Sequence, residues 1–197
     1  HYAEDDQQEA IIFFQEIATL FGGYPNIIYE IYNEPLQISW DNVIKPYAES
    51  VIAAIRAIDS DNLIVVGTPN WSQNVNDAAN NPITGYLNIA YALHFYAGSH
   101  GQTLRNNALT ALNNGIALMV TEWGAVNADG NGPVDSVSVA EWMTFLCDNN
   151  ISHCNWAIND KNEGASALIP GSSTTGNWGP NDLTVSGTLV KNILLSW

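Results

Sequence analysis

Five short apolar runs punctuate this chain: IIYEIYNE at 27–34, LIVVG at 63–67, IAYALHFY at 89–96, IALMVTEWG at 116–124 and ISHCNWAIND at 151–160. They read as near-continuous hydrophobics rather than as strict alternations, which is what strands covered on both faces look like. Between them lie segments of helical period. Ala10, Phe13, Phe14, Ile17, Ala18 and Phe21 recur at i, i+3, i+4 spacing over residues 4–21, and Gly22-Gly23 then stops the helix. Ile44, Tyr47, Ala48, Val51, Ile52 and Ile55 line one face of a second helix, which ends before the turn residues Asp59, Ser60 and Asp61. Strands alternating with helices predict an α/β fold with a parallel sheet.

Polar chemistry collects at one end of these strands. Glu34, His94 with Tyr96, Glu122 with Trp123, and the stretch from Trp156 to Asp160 all fall at carboxyl ends. A closed (β/α)8 TIM barrel carries its sites on that face. A doubly wound sheet also binds at carboxyl ends, but it usually brings a glycine-rich phosphate loop, and none follows a strand here. The barrel is therefore expected, as a single catalytic domain covering residues 1–197 in part. Such a barrel has eight strands in roughly 250 residues, so this chain is expected to supply about strands 4 to 8. The N-terminal βα units are expected upstream, and either an N-terminal segment or an oligomer is expected to cover the open edges.

The partner class follows from charge. Lys and Arg number 5 against 20 Asp and Glu, a net charge of -15, which repels nucleic acid and anionic membrane surfaces and leaves a neutral or cationic partner. No apolar run is long enough to span a bilayer, and no signal-peptide pattern opens the chain, which begins at His1 without Met. Cys147 and Cys154 are too few for a structural zinc site; they read equally as a short disulfide loop or as two buried free thiols. Asn70-Trp71-Ser72 and Asn150-Ile151-Ser152 match the glycosylation acceptor pattern without deciding anything.

Glu34 and Glu122 end two different strands beside residues that can hold them, Asn33 and Pro35 for the first, Thr121, Trp123 and Gly124 for the second. Two carboxylates about 5 to 5.5 Å apart suit retaining glycoside hydrolysis, one as acid and then base, the other as nucleophile. The acid needs a proton when substrate binds, and the nucleophile needs its charge. Seven Trp, with Trp40, Trp71, Trp123, Trp156 and Trp178 in or beside loops, supply flat apolar faces suited to pyranose rings.

In YPNIIYEIYNEP, ALHFYAGSHG, MVTEWGAVNADGNG and NWAINDKNEGASAL, spread over the whole chain, the sequence resembles glycoside hydrolase family 5, the clan A endo-1,4-β-glucanases or cellulases, and in particular secreted bacterial members. The resemblance implies β-1,4-glucan (cellulose and cello-oligosaccharides) as partner, no cofactor and an extracellular location. It implies Glu34 as acid/base after strand 4 and Glu122 as nucleophile after strand 7. Asn33 would contact the sugar 2-hydroxyl, His94 and Tyr96 would support the nucleophile, and Trp156 would stack beneath the sugar at the scissile bond. Trp71, Lys161 and Glu163 are carried over as glycone-side contacts and Trp40 as an aglycone-side one. An Arg and a His that family members carry after strands 2 and 3 would lie upstream of this chain.

Other readings remain open at this stage. The chain could bind β-glucan without turnover, or belong to a related mannan or xylan hydrolase. Asn127-Ala128-Asp129-Gly130-Asn131-Gly132 imitates the start of a calcium loop, but position 138, where the closing Glu belongs, is Ser138. Glu34, His94, His100 and Glu122 offer metal-ligand types without a close His pair, so no metal is expected.

Overall fold

The computed structural model describes all 197 residues. Five strands follow one another in sheet order β1 to β5: β1 (Ile28–Glu30), β2 (Leu63–Val66), β3 (Ile89–Tyr96), β4 (Leu118–Gly124) and β5 (His153–Asn155). α1 (Gln7–Phe21) precedes β1; the helices between the strands are α2 (Lys45–Arg56), the short α3 (Pro69–Ser72) and α4 (Val75–Asn80), α5 (Gln102–Asn113) and α6 (Ser136–Asp148), with α7 (Val185–Ser196) last. This order is that of consecutive βα units of a (β/α)8 barrel. No helix is long and apolar enough to cross a membrane.

The chain divides into two compact units. The first comprises His1–His94 and Asn106–Met119, the second Phe95–Arg105 and Val120–Trp197. In the first unit β1 pairs with β2 in parallel (Tyr29 opposite Ile64), and β2 pairs with β3 (Val65 opposite Ala90). α2 covers them. Its predicted face, from Ile44 through Tyr47, Ala48, Val51, Ile52 and Ile55, is wholly buried, and each such Ile stabilises the fold by about 1.5–3 kcal/mol through removal from water. A π-helical turn at Trp40–Ile44 leads into α2, started by Ser39, whose hydroxyl accepts the Asn42 N–H at 3.1 Å.

α1 departs from its predicted burial. Ala18 is its one buried residue, while Phe13 and Phe21 are exposed along with Ile12 and Leu20. Apolar side chains occupy more of this helix's circumference than a single packed face can cover.

β1 is also shorter than the run that predicts it. Past Glu30 the chain still lies against β2, with Ile31 N–H donating to the Val65 carbonyl at 3.0 Å, but regular pairing stops where the backbones crowd. A Cβ on Gly67 would sit 2.1 Å from the Tyr32 carbonyl oxygen, so only glycine permits that approach. Glu34 therefore stands in the segment after the strand rather than on it.

The α2–β2 turn is closed by Asp59. Its carboxylate accepts from the phenol of Tyr29 (2.7 Å), the N–H groups of Asp61 and Asn62 (3.0 Å each) and the Asn62 amide (2.7 Å).

In the second unit β4 pairs with β5 in parallel, with Val120 opposite His153 and Trp123 opposite Asn155 across an irregularity. Phe95 stacks on Trp142 of α6 at 3.9 Å and on Trp123 at 5.7 Å, which makes an aromatic core. α6 and α7 begin with side-chain caps, Asp135 accepting from Ser138 N–H and Thr184 from Gly187 N–H.

Candidate active site

In the first unit the carboxylate of Glu34 is mostly covered and meets the ring of His94, with Nδ1 3.0 Å from Oε1. The other ring nitrogen, Nε2, lies 3.8 Å from Oε1 of Glu30. Residues 30, 32 and 34 share a face in extended chain, so the strand-like periodicity that delivers Glu34 also delivers Glu30 to the same imidazole. The reading of the sequence missed Glu30, although this alternation was there to find it.

His1 Nδ1 donates to the Glu34 carbonyl at 2.7 Å, and the Tyr32 phenol, in close contact with the Glu4 carboxylate, donates to the His1 carbonyl at 2.8 Å. Burial, reinforced by Glu4, raises the Tyr32 pKa. Beside this network His1, Glu30, Tyr32, Asn33 and Tyr47 line a cavity of about 470 Å³.

Trp71 sits in a turn whose backbone is left-handed at three successive residues, Asn70, Trp71 and Ser72 (φ 60°, 56° and 56°). Each such residue costs on the order of 1–3 kcal/mol unless its surroundings hold it. Here they do. Asn70 N–H donates to the Leu36 carbonyl, Trp71 N–H to that of Pro35 (2.8 Å), and the Ser72 hydroxyl to that of Asn33 (2.8 Å). The exposed indole of Trp71 is thus tied to the segment that carries Glu34.

Trp40 is placed otherwise than expected. It is 4% exposed, its indole N–H is taken by the Asn81 carbonyl at 2.9 Å, and its ring packs edge-on against Tyr91. The loop position that marked it as a sugar platform is largely a packing position, although Trp40 also borders a polar cavity with Gln37, Asp41 and Asn81.

In the second unit Glu122, on β4, is 9% exposed, and Oε1 accepts the phenol of Tyr96 at 2.7 Å. Such a bond is strongest to an ionised acceptor. The Tyr96 ring packs closely against Gly124, where a Cβ would stand 2.3 Å from Cδ1. His100 accepts the Tyr96 N–H at its Nδ1 (2.9 Å), so that nitrogen is not on offer as the metal ligand considered above.

Trp156 follows β5 and is 45% exposed, its N–H held by the Trp123 carbonyl at 2.9 Å; its peptide bond to Ala157 is cis. Trp123 itself is fully buried and belongs to the core. Lys161 and Glu163 share a tight turn in which Glu163 N–H donates to the Lys161 carbonyl (2.9 Å), and the Glu163 carboxylate lies close beside Gly130. That glycine belongs to the Asn127–Gly132 loop, which is closed by its own bonds, Asp129 accepting from Asn131 N–H and Ser99 from Ala128 N–H. Cys147 and Cys154 are both exposed, and no disulfide joins them.

A family model described as Cellulase (glycosyl hydrolase family 5) matches residues 1–162. Endoglucanase Z of Dickeya dadantii is 63% identical over 197 residues, all of this chain and 44% of that protein. An endoglucanase of Clostridium saccharobutylicum is 52% identical over 186 residues, 94% of this chain and 41% of its own length. The chain thus spans less than half the length of these relatives. Among solved structures, one from Cytophaga hutchinsonii superposes with a TM-score of 0.97 at 53% identity, over 100% of this chain and 64% of that one. The catalytic domain of a Thermobifida fusca endoglucanase, in complex with cellotetraose, does so at 0.88 and 31% identity, over 96% and 64%. The chain belongs to glycosyl hydrolase family 5, the family of the cellulases.

Proposed function

We propose that this chain carries the carboxylate pair of a retaining endo-1,4-β-glucanase that cleaves cellulose and cello-oligosaccharides. The observation that carries the reading is the Tyr96 phenol donating to the nearly buried Glu122 at 2.7 Å. A donor built against a carboxylate in poor contact with water favours its charged, nucleophilic form. In this reading Glu122 attacks the anomeric carbon while Glu34 gives its proton to the departing glycosidic oxygen. The glycosyl ester that forms neutralises Glu122. Glu34, now ionised, takes a proton from water as the water attacks the same carbon and frees Glu122. His94, in contact with the Glu34 carboxyl, orients it for both transfers.

The exposed faces of Trp71 and Trp156 suit stacking on glucose rings, with Asn33, Lys161 and Glu163 as hydroxyl partners. The cellotetraose bound by the Thermobifida fusca relative supports a β-1,4-linked glucan as ligand. An insoluble polymer outside the cell also supports secretion of the parent protein, which activity in culture supernatant of the producing strain would test.

Reducing ends released from carboxymethylcellulose by the purified chain, with Glu122→Gln as control, test the reading. Release that vanishes in the control is expected. Equal release from both would overturn it, and cellotetraose binding with no turnover in the wild-type chain would assign a binding role instead. Faster release from mannan or xylan would move the substrate class.

A further inference from the structure

His100 closes the loop after β3 in two directions. Its N–H donates to the Tyr96 carbonyl at 2.8 Å, and its ring Nδ1 accepts the Tyr96 N–H at 2.9 Å. A ring nitrogen that accepts carries no proton, so in the neutral ring the proton sits on Nε2. Burial lowers the His100 pKa from its usual value, which preserves that neutral ring. The loop is anchored in turn to the core, because the His100 carbonyl takes the indole N–H of Trp142 at 2.7 Å, and Trp142 is fully buried against Phe95.

Tyr96 is therefore fixed at three places. Gly124 leaves room for the ring where a Cβ would collide with it, His100 holds the backbone, and the phenol reaches Glu122. Any acceptor would satisfy the Tyr96 N–H for stability alone. What the imidazole adds is direction: the phenol oxygen is the far end of the side chain, so a small rotation at the backbone moves it furthest. A hydroxyl–carboxylate bond weakens once its length leaves about 2.5–3.0 Å or its angle bends.

We propose that His100 is a positioning residue, acting through Tyr96 to hold the phenol on Glu122. The proposal rests on the reading of Glu122 as the nucleophile.

The test compares wild type, Tyr96→Phe, His100→Ala, His100→Asn and the double variant Tyr96→Phe/His100→Ala. Asparagine offers an amide oxygen in place of Nδ1 and cannot titrate. Two readouts are taken, the titration of the Glu122 carboxyl by ¹³C NMR, which needs no turnover, and kcat with KM on a soluble cello-oligosaccharide. Loss of the phenol should move the Glu122 midpoint up by about one pH unit, roughly a tenfold change in proton affinity. His100→Ala should move it up similarly, His100→Asn should return most of the shift, and the double variant should go no further than Tyr96→Phe. Turnover should follow, with kcat falling about tenfold or more in His100→Ala and KM within about twofold.

A Glu122 midpoint that moves in Tyr96→Phe and not in His100→Ala overturns the proposal while leaving the nucleophile intact. So do losses that simply multiply in the double variant. Undiminished turnover in Glu122→Gln sinks the underlying reading instead. Should the wild-type chain turn nothing over, the carboxyl titration alone decides.

Discussion

Nδ1 of His94, a side chain only 2% exposed, lies 3.0 Å from Oε1 of Glu34. A buried imidazole cannot follow a wandering carboxyl, so it fixes where the Glu34 carboxyl is presented, and the proposed acid role can be tested on that group. Glu34→Gln keeps the shape and removes the proton. Hydrolysis of unactivated cello-oligosaccharides should fall by about 10²–10⁴, the usual worth of a positioned general acid. An aryl cellobioside with a good leaving group needs no such proton for its first step. Burst kinetics on that substrate should show the glycosyl-enzyme forming at near wild-type rate and then accumulating, and an equal loss on both substrates would remove Glu34 from the acid role.

The turn carrying Trp71 gives a different test. Ser72 is fully buried, and its hydroxyl bridges the Asn33 carbonyl (2.8 Å) and the Thr68 N–H (3.3 Å). Ser72→Ala leaves both without that partner and should cost about 1–3 kcal/mol in urea unfolding. Ser72 also has φ 56°, a conformation glycine adopts freely and an L-residue at roughly 1–2 kcal/mol. Ser72→Gly loses the same hydroxyl yet relieves the backbone, so it should be the less damaging change by about 1 kcal/mol. Equal losses would mean that the turn stores no strain.

Much of this was legible in the sequence, and the misses have physical causes. The α2 face could be read because its buried residues keep helical spacing without interruption. Glu34 and Glu122 stood out as candidates because each is a charge that closes an apolar run. Trp40 and Trp123 were misjudged because an indole beside a loop looks the same whether it faces solvent or core, and the outcome depends on Asn81, Tyr91, Phe95 and His153 arriving from elsewhere in the chain. The end of β1 depends on Gly67, more than thirty residues away, and the roles of Ser72 and His100 depend on hydrogen bonds to Asn33 and Tyr96 that no local pattern announces.

The cysteines settle quickly in a test tube. Cys147 and Cys154 are exposed thiols, and the disulfide that their spacing also allowed is not formed. A disulfide-exchange reagent added to folded protein without reductant should titrate both. A count of zero that rises only after reduction would reverse this.

Asp59 sets an acid limit on stability. Burial pushes its pKa up, but the bonds from Tyr29, Asp61 and Asn62 win and hold it at about 2 against an ordinary 3.8. Because the folded value lies below the unfolded one, the contribution is fully present above about pH 4 and is lost as pH falls toward 2. A shift of this size corresponds to roughly 2 kcal/mol. The partner phenol works in the opposite range. Burial and Asp59 push Tyr29 up to about 12 from 10.0, so its contribution is complete below pH 10 and is lost as pH climbs through 12. Urea midpoints taken every half unit from pH 2 to 6 should fall steeply below pH 4 in the wild type. In Asp59→Asn the curve should start lower at pH 6 and lie flatter below pH 4, because the group whose protonation unfolds the α2–β2 turn is gone. Parallel curves for the two proteins would place the acid sensitivity elsewhere.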